Sequence, residues 1–170
     1  MINEEFYDLV YRLEYLIRYS NVPRIHDESV ASHSFFVSVI LIDLNDRYEF
    51  DLGKATIMAI CHDMPETRTN DLSHETQSLY PKLKEALREA EVEAIKEFPE
   101  ACQHAITEYT LCESVESKFV HLADAMQCYQ YACHELKLGN DGYMQEVVLN
   151  SLNRIKQLFK LLNEYERDAF

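Results

Sequence analysis

Glycine and proline are scarce, three and four in 170 residues. A sandwich of many strands needs a tight turn at each reversal, and tight turns draw on those two residues, so their shortage argues for helices. Basic residues are few as well. Sixteen Lys and Arg against thirty Asp and Glu give a formal net charge of −14. Such a surface repels a phosphate backbone, which argues against nucleic acid as a partner. A phosphorylated substrate would need a bound cation or a local basic cluster. There is no long apolar run. The longest, Val37 to Ile42, is broken by Ser38 and far too short to cross a bilayer. The start, Met1 to Asp8, is acidic and amphipathic, unlike a secretory signal. The cysteines at 61, 102, 112, 128 and 133 form no C-x-x-C pair and no disulfide-dense spacing. Reduced thiols in a cytoplasmic protein without a membrane anchor are expected.

What is present is an ordinary globular composition, 47% hydrophobic and 27% charged. This length suits one domain with a sizeable core. With no repeat, low-complexity tract or linker in the chain, residues 1–170 are assigned to a single all-α domain.

Periodicity predicts the helices. Residues 3–20 place Phe6, Leu9, Val10, Leu13, Leu16 and Ile17 on one side, with a stop near Pro23. Residues 30–47 follow an N-cap at Ser29, with Val30, His33, Val37, Ile40 and Leu44 on one face, widened by Phe36, Val39 and Leu41. Asp51 caps a helix in which Leu52, Ala55, Ala59, His62 and Glu66 recur at steps of three and four. Residues 67–78 are polar and read as a loop. Beyond them lie a charged helix over 82–97, a short one from Glu100 to Tyr109, a long one from Glu113 to Lys137 ended by Gly139, and an amphipathic helix over 142–165.

Several groups that bind metals or move protons fall on inward stripes. His33 sits on the apolar face of its helix, as His62 does, and Asp63 adjoins. Asp124, in Leu122-Ala123-Asp124-Ala125, is an acid among small apolar neighbours. Burial of its charge is costly unless it is paired or bound to metal, and Arg12 and Arg154 are candidate partners. Together His33, His62, Asp63 and Asp124 offer two imidazoles and two carboxylates from three helices. That set suits an open octahedral site for Mn, Fe, Co or Mg better than a structural zinc site, which favours thiolates.

The ordered set His33…His62-Asp63…Asp124 resembles the H…HD…D signature of the HD-domain metal-dependent phosphohydrolases. The resemblance covers about residues 9–150. Arg18-Tyr19, Val30-Ala31-Ser32-His33-Ser34, His62-Asp63-x-x-Glu66, Asp71-Leu72 and Ala123-Asp124-Ala125 are similar to the bacterial 5′-deoxynucleotidase branch and to related viral deoxynucleoside triphosphohydrolases. It implies a helical bundle with one divalent ion per chain between helices, drawn from Co, Mn, Fe, Zn or Mg, with Mn or Co favoured. His33, His62, Asp63 and Asp124 would be the ligands. Glu66 would orient or activate the attacking water, and Asp71 would assist or protonate the leaving group. Arg18 would contact phosphate or sugar, and Tyr19, where these enzymes carry Trp, would pack on sugar or base. Ser32 stands where relatives often have Glu. Lys82 and Lys84 are candidates for longer phosphates, against a solvated helix face.

The expected activity is hydrolysis of a deoxynucleoside 5′-monophosphate to nucleoside and phosphate. The rivals are a dATP-type triphosphohydrolase releasing tripolyphosphate, a cyclic or signalling nucleotide phosphodiesterase, and a catalytically silent metal-bound partner protein. A homo-oligomer, dimer first, is expected from the resemblance and from 11 Tyr and 8 Phe in one small domain.

Overall fold

The structure, a computed structural model, describes residues 3–168, apart from the side chains of residue 74 and of residues 163–168. Residues 1, 2, 169 and 170 of the expected 1–170 domain lie outside them. The described residues contain nine α-helices and no strand. In order these are α1 (Glu4–Tyr11), α2 (Val30–Asn45), α3 (Leu52–Cys61), α4 (Glu66–Thr69), α5 (His74–Leu79), α6 (Pro81–Ile95), α7 (Glu100–Leu111), α8 (Val115–Lys137) and α9 (Tyr143–Asp168).

Local chemistry sets most of the starts. The side chains of Asn3, Ser29, Asp51, Ser73 and Ser114 accept from the backbone N–H three residues on, so each supplies a partner for a donor the first turn leaves unpaired. Gly139, at φ +99°, follows α8 in a conformation other residues avoid.

Helix α8 is the axis of the molecule, packing on α9, α2, α3 and α7. Its buried side is broad: Phe119, Val120, Leu122, Ala123, Asp124, Gln127, Tyr131, Ala132 and Glu135 are all inside. The main core joins Leu122 and Val120 to Val37, Leu41 and Leu44 of α2 and to Met58 and Ala59 of α3. Truncating Leu41 or Leu122, neither of which is exposed, to alanine costs about 2–5 kcal/mol.

Four expectations need correction. The first helix does not run over 3–20. It ends at Tyr11 and continues only as a 3₁₀ turn over Arg12–Glu14. The chain then extends, and Ile17 pairs with Ser29 in an antiparallel bridge. Arg18 donates its backbone N–H to the Glu28 carbonyl at 2.9 Å. Competition from that pairing ends the helix before Pro23 does. The helix carrying Ala59 closes at Cys61, so His62 is its C-cap, Asp63 lies in a turn, and Glu66 opens α4. Residues 67–78 hold the rest of α4 and most of α5, not a plain loop. On α2, Phe36 and Val39 are exposed while Leu41 is buried. That helix is apolar on all sides, so periodicity alone cannot phase it.

Candidate active site

The site lies where α2, the end of α3 and α8 meet. Helix α2 is directed so that His33, four residues after the Ser29 cap, is wholly buried. His62, also buried, sits where α3 stops. Their rings are 5.4 Å apart, centroid to centroid. Asp124 comes from the middle of α8, and its Oδ1 is 3.3 Å from His33 Nε2. Asp63 completes the group, with Oδ2 3.1 Å from His62 Nε2 and 3.6 Å from His33 Nε2. The sequence-predicted ligands are therefore brought together from 33, 62, 63 and 124.

These residues fit a metal ion. His33, His62 and Asp124 each offer a ligand atom within 4.8 Å of the others. Both Nε2 atoms are buried and without a hydrogen-bond partner. Each ring is tied at its other nitrogen. His62 Nδ1 lies 2.7 Å from the Ala59 carbonyl, which can only accept, so this nitrogen carries the proton and Nε2 presents its lone pair. Burial pushes the His62 imidazole down, but Asp63 outweighs it and the net shift is upward. Asp124 is held well below the usual carboxylate range: burial opposes this, and the Arg154 guanidinium and the adjoining His33 imidazole overcome it.

Asp124 is also in the salt bridge that sequence left open. Its partner is Arg154 of α9, with Nη2 3.0 Å from Oδ2, and not Arg12. Tyr109 donates its hydroxyl to the same oxygen at 3.3 Å and stacks on His121 at 4.0 Å.

The acids stand next to the cluster. Glu66 is pushed well up by burial, then by the charges of Asp63 and Asp71, and its Oε2 is buried without a partner. Asp71 is raised by burial, against the nearby Arg18 charge. Glu91 of α6 is half-buried and feels Asp63, a neighbour that periodicity did not mark.

The Arg18 side chain turns inward. From the turn after Ile17, its Nη1 donates to Glu28 Oε2 at 2.9 Å and to Gln127 Oε1 at 3.1 Å. Its Nη2 donates to Cys128 at 3.3 Å. Tyr19 follows at φ +57° and stacks on Tyr131, with centroids 5.3 Å apart and planes 2° from parallel. The Arg18 guanidinium lies 5.3 Å from the Tyr19 ring centroid. Lys82 and Lys84 are exposed on α6.

Glu28, Gln127, Cys128, Tyr109 and Arg154 all touch the predicted site residues, yet none was marked as functional from sequence. Besides Arg154, already a candidate partner of Asp124, a signal existed for two of them. Gln127 and Cys128 lie three and four residues after Asp124, on the same face of a helix.

A family model described as 5′-deoxynucleotidase YfbR-like matches residues 5–167. A dATP triphosphohydrolase of Salmonella phage PMBT28 is 33% identical over 76 residues, 39% of this chain and 39% of that protein. A 5′-deoxynucleotidase of Pasteurella multocida (strain Pm70) is 28% identical over 151 residues, 81% of this chain and 77% of its own length. Among solved structures, an HD-domain phosphohydrolase from Listeria innocua superposes with a TM-score of 0.73 at 20% identity, over 92% of this chain and 80% of that one. That likeness is one of fold.

Proposed function

We propose that this chain, which belongs to the YfbR-like 5′-deoxynucleotidase family, hydrolyses deoxynucleoside 5′-monophosphates to deoxynucleoside and phosphate. Membership makes it a phosphohydrolase; the substrate is the proposal. The observation that carries it is the packing of His33, His62, Asp63 and Asp124 around two partnerless imidazole nitrogens, with Arg18 and Glu66 alongside.

His33, His62, Asp63 and Asp124 would hold a divalent ion, with Mn or Co favoured. Such an ion, when bound, polarises a phosphoryl oxygen and acidifies water. Arg18 binds the phosphate, its charge offsetting the acidic surroundings. Glu66, raised by burial and by Asp63 and Asp71 without metal, would be ionised beside a bound cation; there it orients the attacking water and takes its proton as the new P–O bond forms. The bond from phosphorus to the 5′-oxygen breaks, and Asp71 gives that oxygen a proton. Burial suits Asp71 to the task because it favours the protonated acid. Tyr19, pinned by Tyr131, packs against sugar or base.

The rival reading is a triphosphohydrolase of dATP type, motivated by the phage protein's similarity. One frame serves both, since only the scissile phosphorus differs. The test is an assay of deoxynucleoside mono- and triphosphates with Mn²⁺, Co²⁺ and Mg²⁺. Orthophosphate from a monophosphate is expected. Tripolyphosphate from a triphosphate would select the rival, and no release from either would end both readings.

The chain is further proposed to act as one domain, in the cytoplasm, and as a homodimer. No helix among the described residues is long and apolar enough to cross a membrane. Phe35, Val39 and Ile42 of α2, with Ile57 and Ile60 of α3, are exposed apolar side chains that a second copy would cover.

A further inference from the structure

His33 and His62 solve one problem in different ways. Each needs a proton on Nδ1 so that Nε2 keeps a lone pair. For His62 a backbone carbonyl enforces this, and a carbonyl cannot become a donor. For His33 the partner is a side-chain amide: Nδ1 lies 2.7 Å from Gln127 Oε1. An amide can turn over. Flipped, it would present N–H to Nδ1, move the proton to Nε2 and remove the lone pair from the site.

Glu28 prevents the flip. Glu28 is 4% exposed, as is Gln127, and Gln127 Nε2 donates to Glu28 Oε1. Turning the amide would set two oxygens against each other in a buried space, next to a charge. Arg18 fixes the same arrangement from the other side. The two hydrogens of its Nη1 go to Glu28 Oε2 and Gln127 Oε1. Nη1 also lies 2.7 Å from His33 Nδ1; a guanidinium only donates, so this contact opposes a proton on Nδ1, while Gln127 Oε1, the one acceptor both nitrogens face, favours it.

We infer that Gln127 is a positioning residue: oriented by Glu28, it holds His33 in the tautomer that presents Nε2 to Asp63 and Asp124, and it ties that choice to the placement of Arg18. The inference rests on the reading of His33 as a metal ligand. It adds that a chain of three buried side chains, Glu28 to Gln127 to His33, keeps the site ready before any ion arrives.

The experiment uses the full chain as wild type, Gln127→Met and the exchanged pair Glu28→Gln with Gln127→Glu. The exchanged pair preserves the charge and every donor and acceptor: a glutamine at 28 donates to a glutamate at 127, which accepts from His33 and Arg18. Imidazole ¹⁵N spectra of the metal-free proteins report the His33 tautomer, and calorimetric titration with Co²⁺ reports affinity. Wild type should show a protonated Nδ1. Gln127→Met should lose that signature and bind Co²⁺ more weakly by roughly 10–100-fold, the usual effect of removing an outer hydrogen bond to a ligand. The exchanged pair should regain both. A folded Gln127→Met protein with unchanged spectrum and affinity overturns the inference, as does a wild-type spectrum with the proton on Nε2. If Gln127→Met does not fold, the wild-type spectrum and the exchanged pair still decide. Wild type with a protonated Nδ1 but no affinity for Co²⁺ supports the tautomer and overturns the metal reading instead.

Discussion

Arg154 of α9 reaches Asp124 of α8, Nη2 to Oδ2 at 3.0 Å, while the other oxygen of Asp124 faces His33. One carboxylate thus divides its two oxygens between a cation of the protein and the place for an added one. In the metal-free protein Arg154 is the chief positive partner of a buried charge. Replacing it with methionine should cost the metal-free protein about 1–2 kcal/mol, less than for a fully buried pair because Arg154 is half-exposed. A bound ion would meet part of the same charge. Added Co²⁺ should therefore raise the melting temperature of the variant by more than that of wild type. An equal or smaller rise in thermal melts would count against this division of roles.

Glu66 and Asp63 are close in sequence and should respond differently. Glu66→Ala should keep its metal and its fold and lose roughly 10²–10⁴ in turnover, the contribution of a positioned acid or base. Asp63→Ala should lose both metal and turnover. Metal content, melting temperature and phosphate release measured on the same two proteins separate the roles. A metal-loaded Glu66→Ala enzyme keeping more than about a tenth of wild-type turnover, well outside that range, would remove Glu66 from the mechanism.

Glu135 should govern part of the acid stability. Its fully buried carboxylate accepts from the backbone N–H of Ile25 and of His26, both at 2.7 Å, and from Asn140 at 2.8 Å. Burial pushes this acid up, but the Asn140 and backbone hydrogen bonds outweigh it and the net shift is down. A depressed folded value means that the stabilisation is complete above the unfolded value, about 4.3, and is lost as pH falls through the folded one. Glu135→Gln should cost about 1–3 kcal/mol near neutrality. The gap between variant and wild type should close on acidification below that range. Urea titrations over a pH series check it; a gap that widens with acid would contradict the assignment. Because Glu135 holds the segment leading to Glu28, the variant should also bind substrate more weakly.

The dimer is tested by light scattering. A species of twice 20.0 kDa is expected at micromolar concentration. Replacing both Val39 and Ile42 with aspartate should shift it to the monomer without unfolding it, since neither side chain belongs to the core. Only monomer in the wild type would refute the proposal.

Much of this molecule was legible from its sequence because the signals involved are short in range. Ser29, Asp51 and the Gly139 stop act within a few residues of themselves, and structure places the caps and the stop where sequence put them. His33, His62, Asp63 and Asp124 stood out because polar groups on apolar stripes are costly without a purpose. What surrounds those four was decided by packing. Arg18 and Gln127 are 109 residues apart and meet only because α8 lies against α2. Nothing local chose Arg154 over Arg12 for Asp124, nor bent the chain at Ile17 so that Arg18 turns inward. Nor could hydropathy find the polar members of the buried face of α8, Gln127 and Glu135. Hydropathy scores a side chain by its cost in an apolar medium, and that cost vanishes once another segment supplies the partner.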